Sequence, residues 1–158
     1  MVKILIIFDS RSGNTEKMAW AVADGVKQVR GVDIEVKKAD QASLGDLLNA
    51  DGIIMGSPTY YGQMSAKLKD LIDLSTEIHG ELEGKVGAAF TSSGGIATGA
   101  ETTLLSILQA MLIHGMIIQG RSQNKHYGTA VVGAPKQDDL ELCRELGKRT
   151  ASLVLKLQ

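Results

Sequence analysis

At 158 residues with 44% apolar side chains, the chain fits one domain, residues 1–158, whose core needs no disulfide or metal staple. Seventeen Lys and Arg against eighteen Asp and Glu leave a formal net charge of −1, which gives no long-range field to gather nucleic acid or an anionic membrane. Cys143, the only cysteine, closes no internal disulfide and reads as a small core or boundary residue of a helix. The sequence passes from Met1 straight into a strand-like run without a leader pattern, and no apolar stretch of about 18 residues follows. The expectations are a cytoplasmic location, no nucleic acid and no membrane insertion.

Two kinds of element alternate along the chain. Apolar, β-branched runs occur at Val2–Phe8, Ile34–Lys37, Gly52–Gly56, Val86–Phe90, Met116–Ile118 and Ala130–Val132, each bounded by Gly, Ser, Asp or Pro, and they read as buried parallel strands. Helical spacings lie between them: Met18, Val22, Val26 and Val29; then Met64, Leu68, Leu71 and Ile72; then Leu104, Leu105, Leu108 and Leu112; and last Leu142, Leu146, Leu153 and Leu157. The segment 41–50 is weaker and reads as one short helix. Strand and helix in turn predict right-handed crossovers and an α/β doubly wound sheet covered on both faces. In such sheets ligands bind beyond the carboxyl ends of the strands, so the loops after strands one, three and four are the candidates.

The first loop, Ser10–Thr15, brings three hydroxyls, a glycine and an amide to the start of a helix. Unpaired first-turn N–H groups and the helix dipole make that an anion site, and an ordinary cap by Ser12 or Asn14 is the plainer alternative. The spacings G-x-x-x-x-G-K-[ST] and G-x-G-x-x-G are absent, which removes nucleotide hydrolysis of the P-loop kind and the dinucleotide fingerprint. Strand three ends Met55-Gly56-Ser57, without the carboxylate a phosphoacceptor receiver domain needs. The next loop, Gly56–Met64, holds Tyr60 and Tyr61, two of the six aromatic side chains in the chain, and such rings stack on a flat π-system. After strand four, 91–101 again sets hydroxyls and glycines before a helix, where glycine backbone approaches a ligand closely.

Together these stretches resemble the flavodoxin-like FMN proteins. Ser10–Glu16, "SRSGNTE", is similar to the flavodoxin phosphate loop, while "SPTYYGQMSAKLKDLID", "FTSSGGIATGAETTLLSILQAMLIHGMII" and "HYGTAVVG" resemble the WrbA-type NAD(P)H:quinone oxidoreductases over nearly the whole chain. The resemblance implies a flavodoxin-like five-stranded parallel sheet of order 2-1-3-4-5 and FMN as cofactor. It implies that Ser10, Ser12, Gly13, Asn14 and Thr15 hold the 5′-phosphate, with Arg11 as an added cation. Pro58, Thr59, Tyr60, Tyr61 and Gly62 would line the isoalloxazine, and Thr91, Ser92, Ser93, Gly94, Gly95 and Ile96 would follow the ribityl chain and pyrimidine edge. His114 corresponds to a histidine that faces the flavin cavity in the quinone-reductase branch, often across a subunit interface; a satisfied boundary histidine is the plainer reading.

The chain departs from that branch by being shorter at Ser75–Lys85 and between Ile118 and His126, segments that there shape the substrate cavity and the tetramer. It departs from acidic electron carriers by its near-neutral charge. The expected function is an FMN redox protein that passes electrons through the flavin to a redox partner protein; the alternative is an NAD(P)H:quinone oxidoreductase acting on NAD(P)H plus a quinone. A scaffold whose partner binding follows FMN occupancy is a third reading. Monomer and homo-oligomer both stay open.

Overall fold

The computed structural model describes residues 1–158. Six strands and five helices follow in chain order: β1 (Val2–Phe8), α1 (Asn14–Lys27), β2 (Val32–Lys38), α2 (Leu44–Asn49), β3 (Gly52–Pro58), α3 (Ala66–Leu74), β4 (Val86–Ser93), α4 (Ala100–Ile113), β5 (Ile117–Ile118), β6 (Thr129–Val132) and α5 (Gln137–Lys156). All pairings are parallel, and the order is β2-β1-β3-β4-β5 with β6 also on β4. The expected five-strand order is present, and β6 is a small addition to it. The fifth position is shared: β5 pairs with Val86 and Gly87, β6 pairs with Phe90–Ser93, and residues 119–128 bridge the two.

Alternating side chains on each strand feed two cores. Ile4, Ile6, Phe8, Ile54, Ala88 and Phe90 pack with α1 and α5 on one face, while Leu5, Ile7, Ile53, Met55 and Ala89 pack with α2, α3 and α4 on the other. Burial on both faces is why these strands read as continuous apolar runs. The weak segment 41–50 holds one short helix, α2, whose Ser43 cap exchanges hydrogen bonds with Asp46, and a single turn at Ala39–Gln41 leads into it.

The two faces close differently. Helices α1 and α5 meet at Gly25 and Gly147, where an added Cβ would stand 1.9 Å from the Arg144 carbonyl oxygen and 2.1 Å from the Val22 carbonyl oxygen. Only glycine permits that backbone approach, so this face is sealed. Between α3 and α4 the surface stays open, with a cleft of about 730 Å³ alongside α4.

Candidate functional site

At the carboxyl edge of the sheet, β1 delivers the first loop into α1. The cap of α1 is Gly13, at φ +94°, and no side chain caps the helix directly. Neither Ser12 nor Asn14 plays the capping part that the sequence allowed. Instead Ser10 Oγ accepts the N–H groups of Gly13 and Glu16, both at 3.2 Å, which ties the loop into a ring. The N–H groups of Asn14 and Thr15 donate to no protein acceptor. Ser12 is exposed, and the space where Gly13 would carry a Cβ is empty to 4 Å. Free donors on a positive dipole end, beneath open space, are the physical requirements for an anion.

The second loop is a tight hairpin. Tyr60 and Gln63 exchange backbone hydrogen bonds at 3.0 Å, and the two residues between them, Tyr61 at φ +49° and Gly62 at φ +75°, are both left-handed. That is the backbone of a two-residue primed turn, which glycine adopts freely and tyrosine does not. The turn holds the Tyr61 side chain fully in solvent, whereas Tyr60 is half-buried with the Arg11 guanidinium over its ring, 5.2 Å from the centroid. Arg11 thus bridges the first loop to the second.

The third stretch differs from the sequence reading. Strand β4 runs on through Ser93, because β6 pairs with it up to Ser93, so Thr91, Ser92 and Ser93 are buried strand residues that brace the edge. Thr91 Oγ1 donates to the Ser57 carbonyl at 2.7 Å. Its one hydrogen is then used, so the 2.8 Å contact with Thr59 Oγ1 is donated by Thr59. Ser92 Oγ meets Thr15 Oγ1 at 2.8 Å, and Ser93 Oγ donates to the Gly95 carbonyl. The loop proper is Gly94–Gly99, with Gly94 open to space and Ile96 88% exposed. An added Cβ on Gly99 would come within 2.6 Å of Gly62 Cα, so the second and third loops touch through glycine backbone.

The structure therefore gathers Ser10–Thr15, Pro58–Gly62 and Thr91–Ile96 at one edge. It also brings in a fourth segment that sequence reasoning missed: Gly133, just past β6, donates its N–H to the Ser93 carbonyl at 2.8 Å. The signal was a glycine and Pro135 directly after an apolar run.

Within one chain, His114 is not brought to this edge. It ends α4, whose start lies there, and 14 helical residues carry it about 20 Å away. Ser75 Oγ donates to the Ile72 carbonyl at 2.6 Å and so accepts from His114 Nε2 at 2.7 Å. That leaves Nδ1 buried without a partner. Burial, with the neighbouring His79 ring 5.8 Å away, holds the imidazole below its usual range. Burial likewise pushes the Cys143 thiol up to about 12, so it is an inert core group.

Free helix N–H donors, two open glycine sites and a solvent-held aromatic ring match the demands of a phosphate ester joined to a flat heterocycle. The comparisons agree. Residues 37–126, more than half of the chain, match the family described as NADPH-dependent FMN reductase. A flavodoxin of Aquifex aeolicus is 40% identical over 162 residues, covering 98% of this chain and 88% of the relative. An NAD(P)H dehydrogenase (quinone) of Archaeoglobus fulgidus is 39% identical over 191 residues, covering 99% of this chain and all of the relative. The structure of a WrbA-like flavodoxin from Agrobacterium tumefaciens superposes with a TM-score of 0.85 over the whole of both chains at 24% identity, a likeness of fold. The chain belongs to the flavodoxin-like FMN protein family. It is an FMN-binding redox protein, and no helix is long and apolar enough to cross a membrane.

Proposed function

We propose that the chain is an electron-transfer flavodoxin that receives reducing equivalents and passes them to a redox partner at the exposed edge formed by Tyr61 and Ile96. The carrying observation is the composition of the edge: Ser10–Thr15, Pro58–Gly62 and Thr91–Ile96 contain no histidine, cysteine or carboxylate. Such a site binds and orients, because its Ser, Thr and Tyr hydroxyls have no histidine or carboxylate among these residues to activate them. FMN, when bound, supplies the redox chemistry. The Asn14 and Thr15 N–H groups with Ser10, Ser12, Gly13 and Arg11 would hold the phosphate. Thr59, Tyr60, Tyr61 and Gly62, with Pro58 beneath, would flank the ring, and the Gly94–Ile96 backbone would line the polar side. Thr91, Ser92 and Ser93 act from below, fixing the loop bases.

One observation favours a second reading, an NAD(P)H:quinone oxidoreductase: the 730 Å³ cleft beside α4 opens at Gly62, next to the expected ring edge. There NAD(P)H and a proton would yield two electrons and two protons to a quinone, giving NAD(P)⁺ and hydroquinone. Anaerobic mixing of purified holoprotein with NADPH and a benzoquinone separates the two. A flavin that NADPH leaves oxidised, but that dithionite reduces and a redox protein reoxidises, supports the carrier. Prompt two-electron turnover supports the reductase. His114 at the other end of α4 plays no part in either within one chain.

A further inference from the structure

We infer that the partner docks on an uncharged, apolar face made by the segments that end β3, β4 and β6, and that it is a redox protein whose own cofactor edge is rimmed by uncharged apolar side chains. The redox identity of the partner rests on the carrier reading above; the character of the face does not. In a chain with 22% charged residues, no Asp, Glu, Lys or Arg occurs in residues 52–66, 86–100 or 129–135. Burial explains the strand parts of these runs but not the loops that follow, where surface backbone ordinarily carries charged side chains. The three segments are neighbours. Strands β3, β4 and β6 lie side by side in the sheet, Gly99 packs against Gly62, and the Gly133 N–H bonds the Ser93 carbonyl. Each segment puts one large apolar side chain into solvent: Tyr61, Ile96 and Val132, the last 49% exposed. Tyr61 and Ala97, the neighbour of Ile96, both have left-handed backbone, at φ +49° and +57°, which non-glycine residues adopt at a cost. Two of the three apolar tips thus stand on backbone that no local preference supplies.

Charge decides the partner. The first charges after the three runs are Lys67, paired with Asp40 at 3.3 Å, Glu101 and Lys136, so the rim has no net sign. Asp9, Arg11 and Glu16 belong to the first loop, beyond β3 on the phosphate side. A face without a sign offers a charged partner neither steering nor ion pairs, and pressing charges against it would strip their water without return. Exposed apolar side chains free of charge are what the centre of a protein interface is made of, and electron-transfer encounters need only a small one.

The test is a titration of isotope-labelled, FMN-saturated oxidised protein, followed by amide chemical shifts, with two probes. One is a zinc-loaded blue-copper protein whose metal edge is apolar and uncharged; the other is a reduced cytochrome whose haem edge is ringed by lysines. The zinc-loaded protein is expected to shift the amides of Tyr61, Ile96, Ala97 and Val132 and to bind more tightly than the cytochrome. Its affinity should change by less than about twofold between about 20 and 500 mM NaCl. In the Ile96→Ser/Val132→Ser double variant, also saturated with FMN, that affinity falls about fivefold or more. Leu112→Ser, an exposed change at the far end of α4, leaves it as in the parent. Tighter binding of the cytochrome that falls steeply with salt overturns the proposal, as does a zinc-protein affinity that survives the double variant. Pelleting with phosphatidylcholine vesicles that the double variant abolishes also overturns it, making the occupant a lipid surface. A dimer by light scattering that the double variant dissolves does so too, making the occupant a second copy. If the zinc-loaded protein docks as expected but NADPH drives prompt quinone turnover, the carrier reading fails and the apolar face stands. If NADPH leaves the flavin oxidised and the docking is absent, the carrier reading stands and the face fails.

Discussion

The hydroxyls of Thr15 and Ser92 meet at 2.8 Å, both nearly inaccessible to solvent. Seventy-seven residues apart in sequence, they pin the first turn of α1 to the end of β4 and so fix the distance between the free N–H donors of the first loop and the glycines of Gly94–Gly99. Replacing either alone, Thr15→Val or Ser92→Ala, strands the other hydroxyl and should cost about 1–3 kcal/mol. Replacing both removes the stranded partner, so the double variant should lose less than the sum of the singles. Urea denaturation of the four proteins measures this coupling; strict additivity contradicts it.

Tyr61 pays a conformational cost for a ring that touches no core. A left-handed tyrosine costs about 1–2 kcal/mol relative to glycine, so Tyr61→Gly should raise the stability of the FMN-free protein by about 1 kcal/mol. The same change should weaken FMN by roughly two- to tenfold through lost aromatic contact and shift its midpoint potentials. Thermal unfolding and potentiometric titration read the two effects. A variant that loses stability without losing FMN affinity would show that the ring serves the fold.

Gly147 tests the sealed face. Its Cβ would press on the Val22 carbonyl at 2.1 Å, backbone that cannot swing aside, so Gly147→Ala should cost about 2 kcal/mol or more. Gly13→Ala meets no atom within 4 Å but sits at φ +94°, so its cost should be strain alone, about 1 kcal/mol. Chemical denaturation of the two variants should rank them in that order.

His114 predicts a pH dependence. Burial holds its folded pKa below that of the unfolded chain, with His79 adding to the effect. The sign follows from proton binding: where the unfolded state binds more protons, stability rises with pH. The contribution is therefore whole above the ordinary imidazole value of about 6.5 and is lost as pH falls through the folded value. His114→Asn should flatten that part of the stability–pH curve. NMR titration of the imidazole should give a midpoint below that of a free histidine.

Most of the architecture was legible because periodicity is local: Val2–Phe8 is a strand to the residue, and the four helical stripes fall on α1, α3, α4 and α5 except for Val29, Met64 and Leu157, which lie just beyond the helix ends. Three features were not, two of them for reasons of long-range pairing and the third for the length of a helix. Thr91, Ser92 and Ser93 look like loop hydroxyls, yet β6 captures them into the sheet. The runs at 116–118 and 130–132 share one sheet position, which only their common partner β4 reveals. His114 follows "SILQAMLI" closely in sequence, but a helix that starts at the site must end far from it. For the first loop, the residues were legible and the cap was not, since Ser10 reaches forward to Gly13 and Glu16.

The central claim is that FMN sits on the edge made by these loops. Amide chemical-shift mapping during FMN titration of the apoprotein tests it most directly. The account predicts saturation at one equivalent, with the largest shifts at Asn14, Thr15, Gly62, Gly94 and Gly95. Shifts confined to the α4 cleft, or to the His79–His114 end of the molecule, would contradict it.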